Sequence, residues 1–250
     1  MEAFKKHNIT HISASNISTF INDPASWVVS YIYKNPFKSS AAALRGTYIE
    51  KGLDQILSKH QDKERIIKDQ IHLFTETCEY MKIPKEEYEQ EYHFIKKAID
   101  VLPKHFEKFG KIISYQKAIG YMYKGIYIKG YVDFEFEKNL IVDLKTSKQL
   151  KVTIAHKIAQ YIYKTATNME NKLFYIQVLK KSENVMEYQL TDEDNVKIPI
   201  LILQAIENMN YFCSLANSKD DFKRLITPNP DDWKWNDETK LKARKDIWGF

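Results

Sequence analysis

Two carboxylates and one lysine stand close together where the sequence alternates apolar and polar residues. The segment 130–133 (GYVD) is followed after a short interval by 141–147 (IVDLKTS). Hard cations such as Mg²⁺ bind oxygen ligands and keep several waters, so Asp133, Asp143 and a backbone carbonyl would form half of a metal cage. A lysine beside it, Lys145, can orient or help deprotonate an attacking water while the metal stabilises charge on a phosphoryl oxygen. The pattern therefore indicates metal-assisted phosphodiester chemistry.

Strand alternation predicts which side chains meet. In the first strand one face is polar and the other apolar: Tyr131, Asp133 and Glu135 against Val132, Phe134 and Phe136. In the second strand the two faces are Ile141, Asp143 and Lys145 against Leu140, Val142 and Leu144. The carboxylates and the ammonium then converge at the ends of adjacent strands. The alternative is that Asp143 and Lys145 form an ordinary solvated pair. Asp133 favours the site, because two polar faces would otherwise coincide by chance.

A helix predicted over residues 41–59 carries three residues that interrupt its apolar face: Arg45, Gly46 and Glu50. Glycine inside a helix costs about 1 kcal/mol relative to alanine, so Gly46 suggests that something approaches closely. Glu50 lies four residues later on the same face and can supply a third carboxylate. The alternative for Glu50 is a surface pair with Arg45 or Lys51.

The helix predicted at 152–167 brings more polar groups near the same place. Gln160 can reach the substrate backbone or the attacking water, and Tyr163 lies almost one turn further on. His156, one turn before Gln160, either contacts the substrate or is structural. Taken alone, the type of Gln160 favours an ordinary surface residue.

The elements that must hold these residues follow from periodicity. Two short helices begin at Ser15, and helices are also predicted at 41–59, 61–82, 84–109, 152–167 and 191–216. Strands are predicted at 112–123, 127–137, 140–145, 172–179 and 185–190. The first three are joined at 124–125 and at 138–139, of which the latter is a candidate tight turn. This order predicts an α/β core with a mixed central sheet flanked by helices. Helical additions precede this core, and a C-terminal helix follows it.

Composition excludes several classes of protein. The 250 residues are 44% hydrophobic and 13% aromatic with a net charge of +5, which excludes a disordered chain. Cys78 and Cys213 are too few for a disulfide framework or a cysteine metal cluster. No apolar run reaches the ~18 to 20 residues of a membrane span. No apolar signal core follows the charged opening at 1–7, so we expect a cytoplasmic protein.

The motif series resembles that of the PD-(D/E)XK nuclease superfamily, most closely its RecB-like and phage exonuclease branch. The similarity is carried from about residue 13 to 180 by segments that keep the order and spacing of the family. They are the opening Ser13-Ala-Ser15 with Asp23-Pro24, Arg45-Gly46-x-x-x-Glu50, Gly130-x-x-Asp133, Asp143-x-Lys145-Thr146-Ser147 and Gln160. The resemblance implies a restriction-endonuclease-like fold and one nuclease domain over 1–250. That domain would divide into a helical part at 1–109, a catalytic core at 110–180 and a C-terminal helix with an aromatic tail at 181–250.

The resemblance also implies a role for each residue. Glu50, Asp133, Asp143 and the Leu144 carbonyl oxygen would hold Mg²⁺ or Mn²⁺, and Lys145 would assist the attacking water. Gln160 would position the DNA backbone. The predicted DNA contacts are Arg45, Thr146, Ser147 and Tyr163.

The chain departs from the family pattern at three points. A glutamate, Glu50, stands where many RecB-like members carry histidine. Tyr163 lies three residues after Gln160, where the branch usually places tyrosine four residues on. The cysteines that hold an iron–sulfur cluster in some relatives are missing, so no cluster is predicted.

These features lead to one leading hypothesis and two alternatives. The first is a metal-dependent DNA exonuclease of phage recombination or replication, located in the cytoplasm of a bacterial host. Without a phosphate-binding Gly-rich loop it would use no ATP, and unwinding would fall to a partner; a single-strand annealing or single-strand-binding protein is a further expected partner. The alternatives are a structure-specific endonuclease with the same site and an inactive DNA-binding module. The tail residues Trp233, Trp235 and Trp248 either pack on the core or stack on unpaired bases.

Overall fold

The computed structural model describes residues 1–35, 37, 39–59, 62–147, 150–178, 183–232, 235 and 238–250. Six strands are present: β1 His11–Ser13, β2 Ile112–Tyr123, β3 Ile126–Phe136, β4 Leu140–Thr146, β5 Glu170–Val178 and β6 Glu183–Tyr188. The helices before the long hairpin are α1 Glu2–Lys6, α2 Ala14–Asn22, α3 Pro24–Trp27, α4 Ala41–Lys59, α5 Lys63–Tyr80, α6 Lys85–Glu89 and α7 Tyr92–Phe106. Those after it are α8 Ile154–Thr167, α9 Asp192–Leu215, α10 Lys219–Leu225 and α11 Glu238–Trp248. A π-helical turn at Val28–Ile32 and a 3₁₀ turn at Glu107–Phe109 complete the described elements.

A long hairpin of β2 and β3 forms the centre of the sheet. Its two-residue turn has positive φ at Lys124 (45°) and Gly125 (83°), the combination that a type I′ turn requires. The connection at Lys124-Gly125 was predicted from the sequence. The twist of such a turn matches that of the flanking strands, so the hairpin continues along both of them.

One edge of β3 pairs with two different strands in succession, so the sheet divides there. β2 pairs along one edge, while the other edge pairs first with β1, in parallel, and then with β4, antiparallel. The β1 pairing ends at Lys129, and the β4 pairing ends where Phe134 faces Val142. Residues 130–133 therefore border an opening between strands. β5 and β6 extend the sheet beyond β4, with β5 parallel to β4, so the sheet is mixed as predicted.

Two buried clusters cover the sheet with helices. One packs α4, α5 and α7 against the apolar residues of β3 and β4, including Phe134, Val142 and Leu144. The other packs α1, α2, α8 and α9 around the first half of β3, including Ile128. The predicted α/β core with a mixed sheet between helices is confirmed. Among the helices that the structure describes, none is both long enough and apolar enough to cross a lipid bilayer.

The C-terminal tail packs on the N-terminal helices. Trp235 is 1% exposed and lies edge-on against Trp248, in a small cluster with Val29 of the π-helical turn. Lys240 Nζ lies over the Trp235 ring at 5.2 Å and donates a hydrogen bond to Ser26 Oγ at 3.1 Å. Packing, rather than stacking on bases, is therefore confirmed for these two tryptophans; Trp233 lies outside the described residues.

The predicted helix at 84–109 was wrong as a single element. It is divided into α6, α7 and the 3₁₀ turn, although its apolar spacing runs on without a proline or glycine at the break. The break lies at Gln90 and Glu91, and the Glu91 carboxylate is turned inward to a buried arginine. A tertiary ion pair, which periodicity does not encode, thus ends one helix and begins the next.

That arginine, Arg45 of α4, ties three elements together. Its guanidinium pairs with Glu91, donates Nη2 to the Thr146 carbonyl oxygen at the end of β4 at 2.9 Å, and lies 4.5 Å from the centre of the Phe94 ring. Arg45 is 3% exposed and Glu91 5%. Because both charges are out of water, each depends on the other for compensation.

A second buried carboxylate joins α8 to α9. Asp194 caps α9 with Thr191 and accepts hydrogen bonds from Lys157 Nζ at 2.7 Å and from the Tyr188 hydroxyl. Burial opposes ionisation, but these hydrogen bonds outweigh it and hold the pKa of Asp194 below its ordinary value. Asp194 therefore stabilises the fold most in its ionised form.

We expect Arg45→Ala to lower the free energy of unfolding by about 3 to 5 kcal/mol, because Glu91 would be left buried without a partner. The double variant Arg45→Met with Glu91→Leu should recover most of that loss. The control is Arg65→Ala, whose 82% exposed side chain makes only a surface pair with Asp69; it should change stability by less than about 0.5 kcal/mol. Urea unfolding measures all three, and equal small losses in both alanine variants would contradict the assignment.

We expect Asp194→Asn to destabilise the protein by about 2 kcal/mol at pH 7, since hydrogen bonds to a charged group are lost. The group's pKa is lowered by folding, so its contribution is complete above the ordinary aspartate value of about 3.9 and is lost as pH falls below it. The stability difference between wild type and variant should therefore shrink below about pH 4. Asp192→Asn, at an exposed position of the same helical turn, serves as the control. A difference that stays constant between pH 7 and pH 3 would refute this role for the Asp194 charge.

Candidate active site

The opening between β1 and β4 forms a cleft of about 1010 Å³. One wall consists of small polar side chains from the end of β1 and from α2 and α3: Ser13, Ser15, Ser18, Thr19, Asn22, Asp23 and Ser26. The opposite wall carries the charged and aromatic groups of β2, β3, β4 and α8: Gln116, Lys129, Tyr131, Asp133, Asp143, Lys145, His156 and Tyr163. The lining therefore combines hydroxyl and amide groups with both carboxylates and lysines.

Where β3 and β4 separate, the side chain of Asp133 takes the place of the backbone hydrogen bonds that pair the two strands. Strand pairing ends at Phe134 opposite Val142, and one residue further the Asp133 carboxylate accepts a hydrogen bond from the Leu144 amide at 2.8 Å. A side chain thus satisfies a backbone donor that pairing no longer reaches. The bond fixes Asp133, which is 7% exposed, beside the strand that carries the second carboxylate.

Asp143 and Lys145 meet Asp133 from β4. Lys145 Nζ lies 2.9 Å from Asp143 Oδ1, 3.9 Å from Asp133 Oδ2 and 3.3 Å from the Leu144 carbonyl oxygen. Asp143 is only 2% exposed, and its Oδ2 is buried without a hydrogen-bond partner. The structure therefore brings together the three residues that the strand pattern predicted, and it leaves one carboxylate oxygen with unused acceptor capacity.

Gln116 of β2 connects Glu50 of α4 to the Asp133 carboxylate. The Gln116 amide nitrogen donates to Glu50 Oε2 at 2.8 Å and to Asp133 Oδ1 at 3.0 Å. Since one nitrogen serves both carboxylates, their oxygens are near neighbours. The predicted alternatives for Glu50, a surface pair with Arg45 or Lys51, are not what the structure describes.

The gathered charges raise the pKa values of the carboxyls. Burial, followed by the neighbouring Asp143 charge, raises the pKa of Asp133 well above its ordinary value despite the nearby Lys145. Burial, opposed by Lys145, raises the pKa of Glu50 to about 7. Burial would lower the pKa of Lys145, but Asp143 and Asp133 outweigh it and raise that pKa above its ordinary value. The site combines an excess of acidic groups with one firmly protonated lysine, and an added cation would relieve this imbalance.

The regular alternation predicted for β3 was wrong at Asp133. Val132 packs with Ile119 and Ile141 near α8, whereas Phe134 packs in the cluster of α4, α5 and α7, so the two do not share one face. The paired positions of β2 and β3 pass over Gln116 and Asp133, and Gln116 has a left-handed φ of 51°. At this local irregularity, the side chains at alternate positions of β3 switch from one face of the sheet to the other.

Gly130 makes room for Tyr163. A Cβ atom at Gly130 would lie 2.7 Å from Cε1 of the Tyr163 ring, closer than packing allows. The tyrosine thus lies directly over β3 in the cleft wall, near the acidic groups, and burial together with the Asp143 charge raises the pKa of its hydroxyl. The glycine of the Gly130-x-x-Asp133 motif therefore has a packing explanation, which the sequence pattern alone did not supply.

Three of the four predicted DNA contacts are not part of the cleft lining. Arg45 is buried on Glu91, and the carbonyl of Thr146 accepts its hydrogen bond. Neither they nor Ser147 are among the described residues that line the cleft. A Cβ at Gly46 would lie 3.7 Å from Thr146 Oγ1, an ordinary contact, so no close protein neighbour explains that glycine. Their DNA contacts stay predictions that this geometry does not favour.

The two polar residues of α8 differ in position. Gln160 is fully buried and donates its amide to the Tyr188 carbonyl at 3.3 Å, away from the cleft lining, so its predicted role at the substrate stays a prediction. His156 lines the cleft, and its ring accepts the Thr153 amide in the capping box of α8. Burial and the Lys145 charge lower the pKa of His156. The hydrogen bond from the Thr153 amide therefore fixes the imidazole in the cleft wall, at the N-terminal end of α8.

Sequence reasoning missed Gln116 and the polar wall of the cleft. Gln116 lies in a strand of alternating residues, and nothing in its type indicates a left-handed backbone or a bridge between distant carboxylates. The serines at 13 and 15 were noticed only through the resemblance. The N-cap of α2, where Ser13 accepts the Asn16 amide, is a local signal that could have located the start of that wall.

The residues present fit a divalent metal. Asp133, Asp143 and the Leu144 carbonyl supply hard oxygen donors, and the buried, unpartnered Asp143 Oδ2 is a carboxylate oxygen suited to a cation. Within the described ranges, however, no three acidic, histidine or cysteine side chains are gathered into a ready-made ligand set. Glu50 in particular is separated from Asp133 by the shared Gln116 amide.

The solved structures similar to this chain show its fold. One is named "Putative exonuclease", from Eubacterium rectale; it shares 14% identity over 95% of this chain and 90% of its own, with a TM-score of 0.52. Another, SSO0001, is 19% identical over 66% of this chain and 86% of its own, with a TM-score of 0.33, which is too low to carry an argument. No curated protein matches the chain.

The family model covers the elements that form the cleft. The family model of the PD-(D/E)XK nuclease superfamily matches residues 11–229, which spans the polar wall, the helix of Glu50 and the strands of Asp133 and Asp143. This is most of the chain, and the resemblance found in the sequence is confirmed. The chain belongs to the PD-(D/E)XK nuclease superfamily.

Proposed function

We propose that this protein is a Mg²⁺- or Mn²⁺-dependent deoxyribonuclease that hydrolyses phosphodiester bonds at DNA ends. One observation carries the proposal: the Lys145 ammonium lies within 4 Å of both the Asp133 and the Asp143 carboxylates at the wall of the cleft. A buried carboxylate oxygen with no partner, beside an ammonium group, matches the needs of metal-assisted hydrolysis.

The metal would be held by Asp133, Asp143 and the Leu144 carbonyl oxygen, with Glu50 as a further carboxylate, and when bound it supplies charge stabilisation at the scissile phosphate. Burial would lower the pKa of Lys145, but Asp143 and Asp133 outweigh it and raise that pKa above its ordinary value. We therefore expect the ammonium group to orient a water or a phosphoryl oxygen by donating hydrogen bonds.

The remaining cleft residues would bind the DNA backbone. The hydroxyl and amide groups of α2 and α3 offer uncharged donors, and Lys129 adds positive charge. Lys240 also lines the cleft, but it is ion-paired with Asp23 at 3.6 Å. Such contacts to phosphate carry no sequence information. We therefore infer a nuclease that recognises backbone rather than a base sequence.

The proposals of exonuclease activity and of a role in phage rest on the resemblance of the sequence to RecB-like and phage enzymes. In that setting the protein would resect ends during recombination or replication in the cytoplasm of a bacterial host. Annealing or single-strand-binding proteins would act on its product. No phosphate-binding Gly-rich loop occurs in the sequence, so ATP-driven unwinding would come from a partner.

A structure-specific endonuclease with the same site is the second candidate, because the chemistry of the three residues is the same for both. An inactive DNA-binding module is disfavoured by the intact set of Asp133, Asp143 and Lys145. Product length on linear and circular DNA separates these candidates.

We expect wild-type protein with Mg²⁺ to digest end-labelled linear duplex to short products and to leave covalently closed circular DNA intact. Asp143→Asn and Lys145→Ala should each lower the rate by at least about 100-fold, since each removes a group that acts on the developing charge. Asp192→Asn, an exposed carboxylate on α9 far from the cleft lining, is the matched control and should keep the wild-type rate.

The outcomes distinguish the candidates. Cutting of the circle with loss of activity in the same variants would replace the exonuclease by an endonuclease. Binding of both DNAs in a gel shift without cleavage by wild type would indicate a binding module. Full activity in Asp143→Asn would contradict the proposed site.

A further inference from the structure

We propose that Gln116 is the positioning residue of this site: its side-chain amide holds the Glu50 and Asp133 carboxylates in the orientation that a divalent cation needs. This inference rests on the proposed function, because it concerns the same carboxylates. Gln116 lies on β2, away from the sequence motifs that identify the family.

The contacts of Gln116 are specific. Its Nε2 donates to Glu50 Oε2 at 2.8 Å and to Asp133 Oδ1 at 3.0 Å, while the other oxygen of Asp133 accepts the Leu144 amide. Both oxygens of Asp133 are therefore held by hydrogen bonds. An ionised carboxylate has about four lone-pair sites, so an oxygen that accepts from Gln116 can still bind a cation.

The backbone of Gln116 shows that this placement has a cost. Its φ of 51° lies in the left-handed region, which non-glycine residues rarely adopt because it is strained for them. The same residue interrupts the pairing of β2 with β3 opposite Asp133. A regular strand would send the side chain at this position to a different place, so the irregular backbone is what aims the amide at the two carboxylates.

Like charges gathered at one place repel each other, and a shared donor offsets that repulsion. Glu50 comes from α4 and Asp133 from β3, and among the described residues Gln116 is the side chain that bonds to both. Hydrogen-bond partners that orient metal-binding carboxylates typically change metal affinity by roughly 10- to 100-fold when they are removed. Gln116 should therefore affect cation affinity without being a ligand itself.

The test measures Mn²⁺ affinity directly, by electron paramagnetic resonance of free Mn²⁺ and by isothermal titration calorimetry, on full-length protein without DNA. Gln116→Ala removes the amide. Gln116→Asn keeps an amide and suits the left-handed backbone better, but its side chain is one methylene shorter and does not span both carboxylates. Gln189→Ala is the control, since it removes a glutamine–carboxylate bond of 2.7 Å to Glu170 at an exposed position outside the cleft. Thermal unfolding of each metal-free variant reports any loss of fold.

We expect both Gln116 variants to bind Mn²⁺ roughly 10- to 100-fold more weakly than wild type, and Gln189→Ala to bind like wild type. Gln116→Asn should unfold at the wild-type temperature or above it, which separates positioning from stability. Wild-type affinity in Gln116→Asn would overturn the inference, even if Gln116→Ala failed to fold.

The variant Asp143→Asn distinguishes failure of the proposed metal site from failure of the proposed role of Gln116. If wild type binds no Mn²⁺, or Asp143→Asn binds as tightly as wild type, the proposed metal site fails. If Asp143→Asn loses binding and the Gln116 variants do not, only the role of Gln116 fails.

Discussion

The hydrogen bond from the Leu144 amide to the Asp133 carboxylate is the interaction on which the cleft depends. It forms where β3 and β4 stop pairing, one residue beyond Phe134 and Val142. Strand pairing fixes the distance between β3 and β4 as far as Phe134 and Val142, and this bond extends the fixed spacing to Asp133 and Leu144. A single buried side chain thus holds the split sheet at the spacing that brings two carboxylates and an ammonium group together.

Two further polar contacts hold the surrounding elements to this split. Arg45 joins α4 to the end of β4 and to Glu91, and so fixes the helix from which Glu50 extends. The Arg45–Glu91 pair is buried, so either partner left alone would be unsatisfied away from water. Gln116, which is exposed in the cleft, joins Glu50 to Asp133. The site is therefore held by a buried ion pair behind it and by an amide within the cleft itself.

The sequence predicted the elements better than their irregularities. The hairpin, its Lys124-Gly125 connection and the mixed sheet follow from period-two alternation and turn chemistry, which are local. The same alternation predicted the meeting of Asp133, Asp143 and Lys145, but in the structure that meeting also involves the irregularity at Asp133, where Val132 and Phe134 face opposite sides of the sheet. The break before α7, the change of facing at Val132 and the left-handed Gln116 depend on partners far along the chain, and a single sequence does not record them. Arg45 shows the same limit: an arginine in a motif was interpreted as a phosphate ligand, whereas burial pairs it with Glu91.

The central claim is that a divalent cation binds between Asp133 and Asp143. The most direct measurement is anomalous X-ray diffraction from crystals of the wild-type protein grown with Mn²⁺, with Asp143→Asn crystals as the comparison. We expect one or two anomalous peaks within about 2 Å of the Asp133 and Asp143 oxygens and the Leu144 carbonyl oxygen, and these peaks should be absent or strongly weakened in the variant. Ordered Mn²⁺ elsewhere in the molecule, with none at these oxygens, would contradict it.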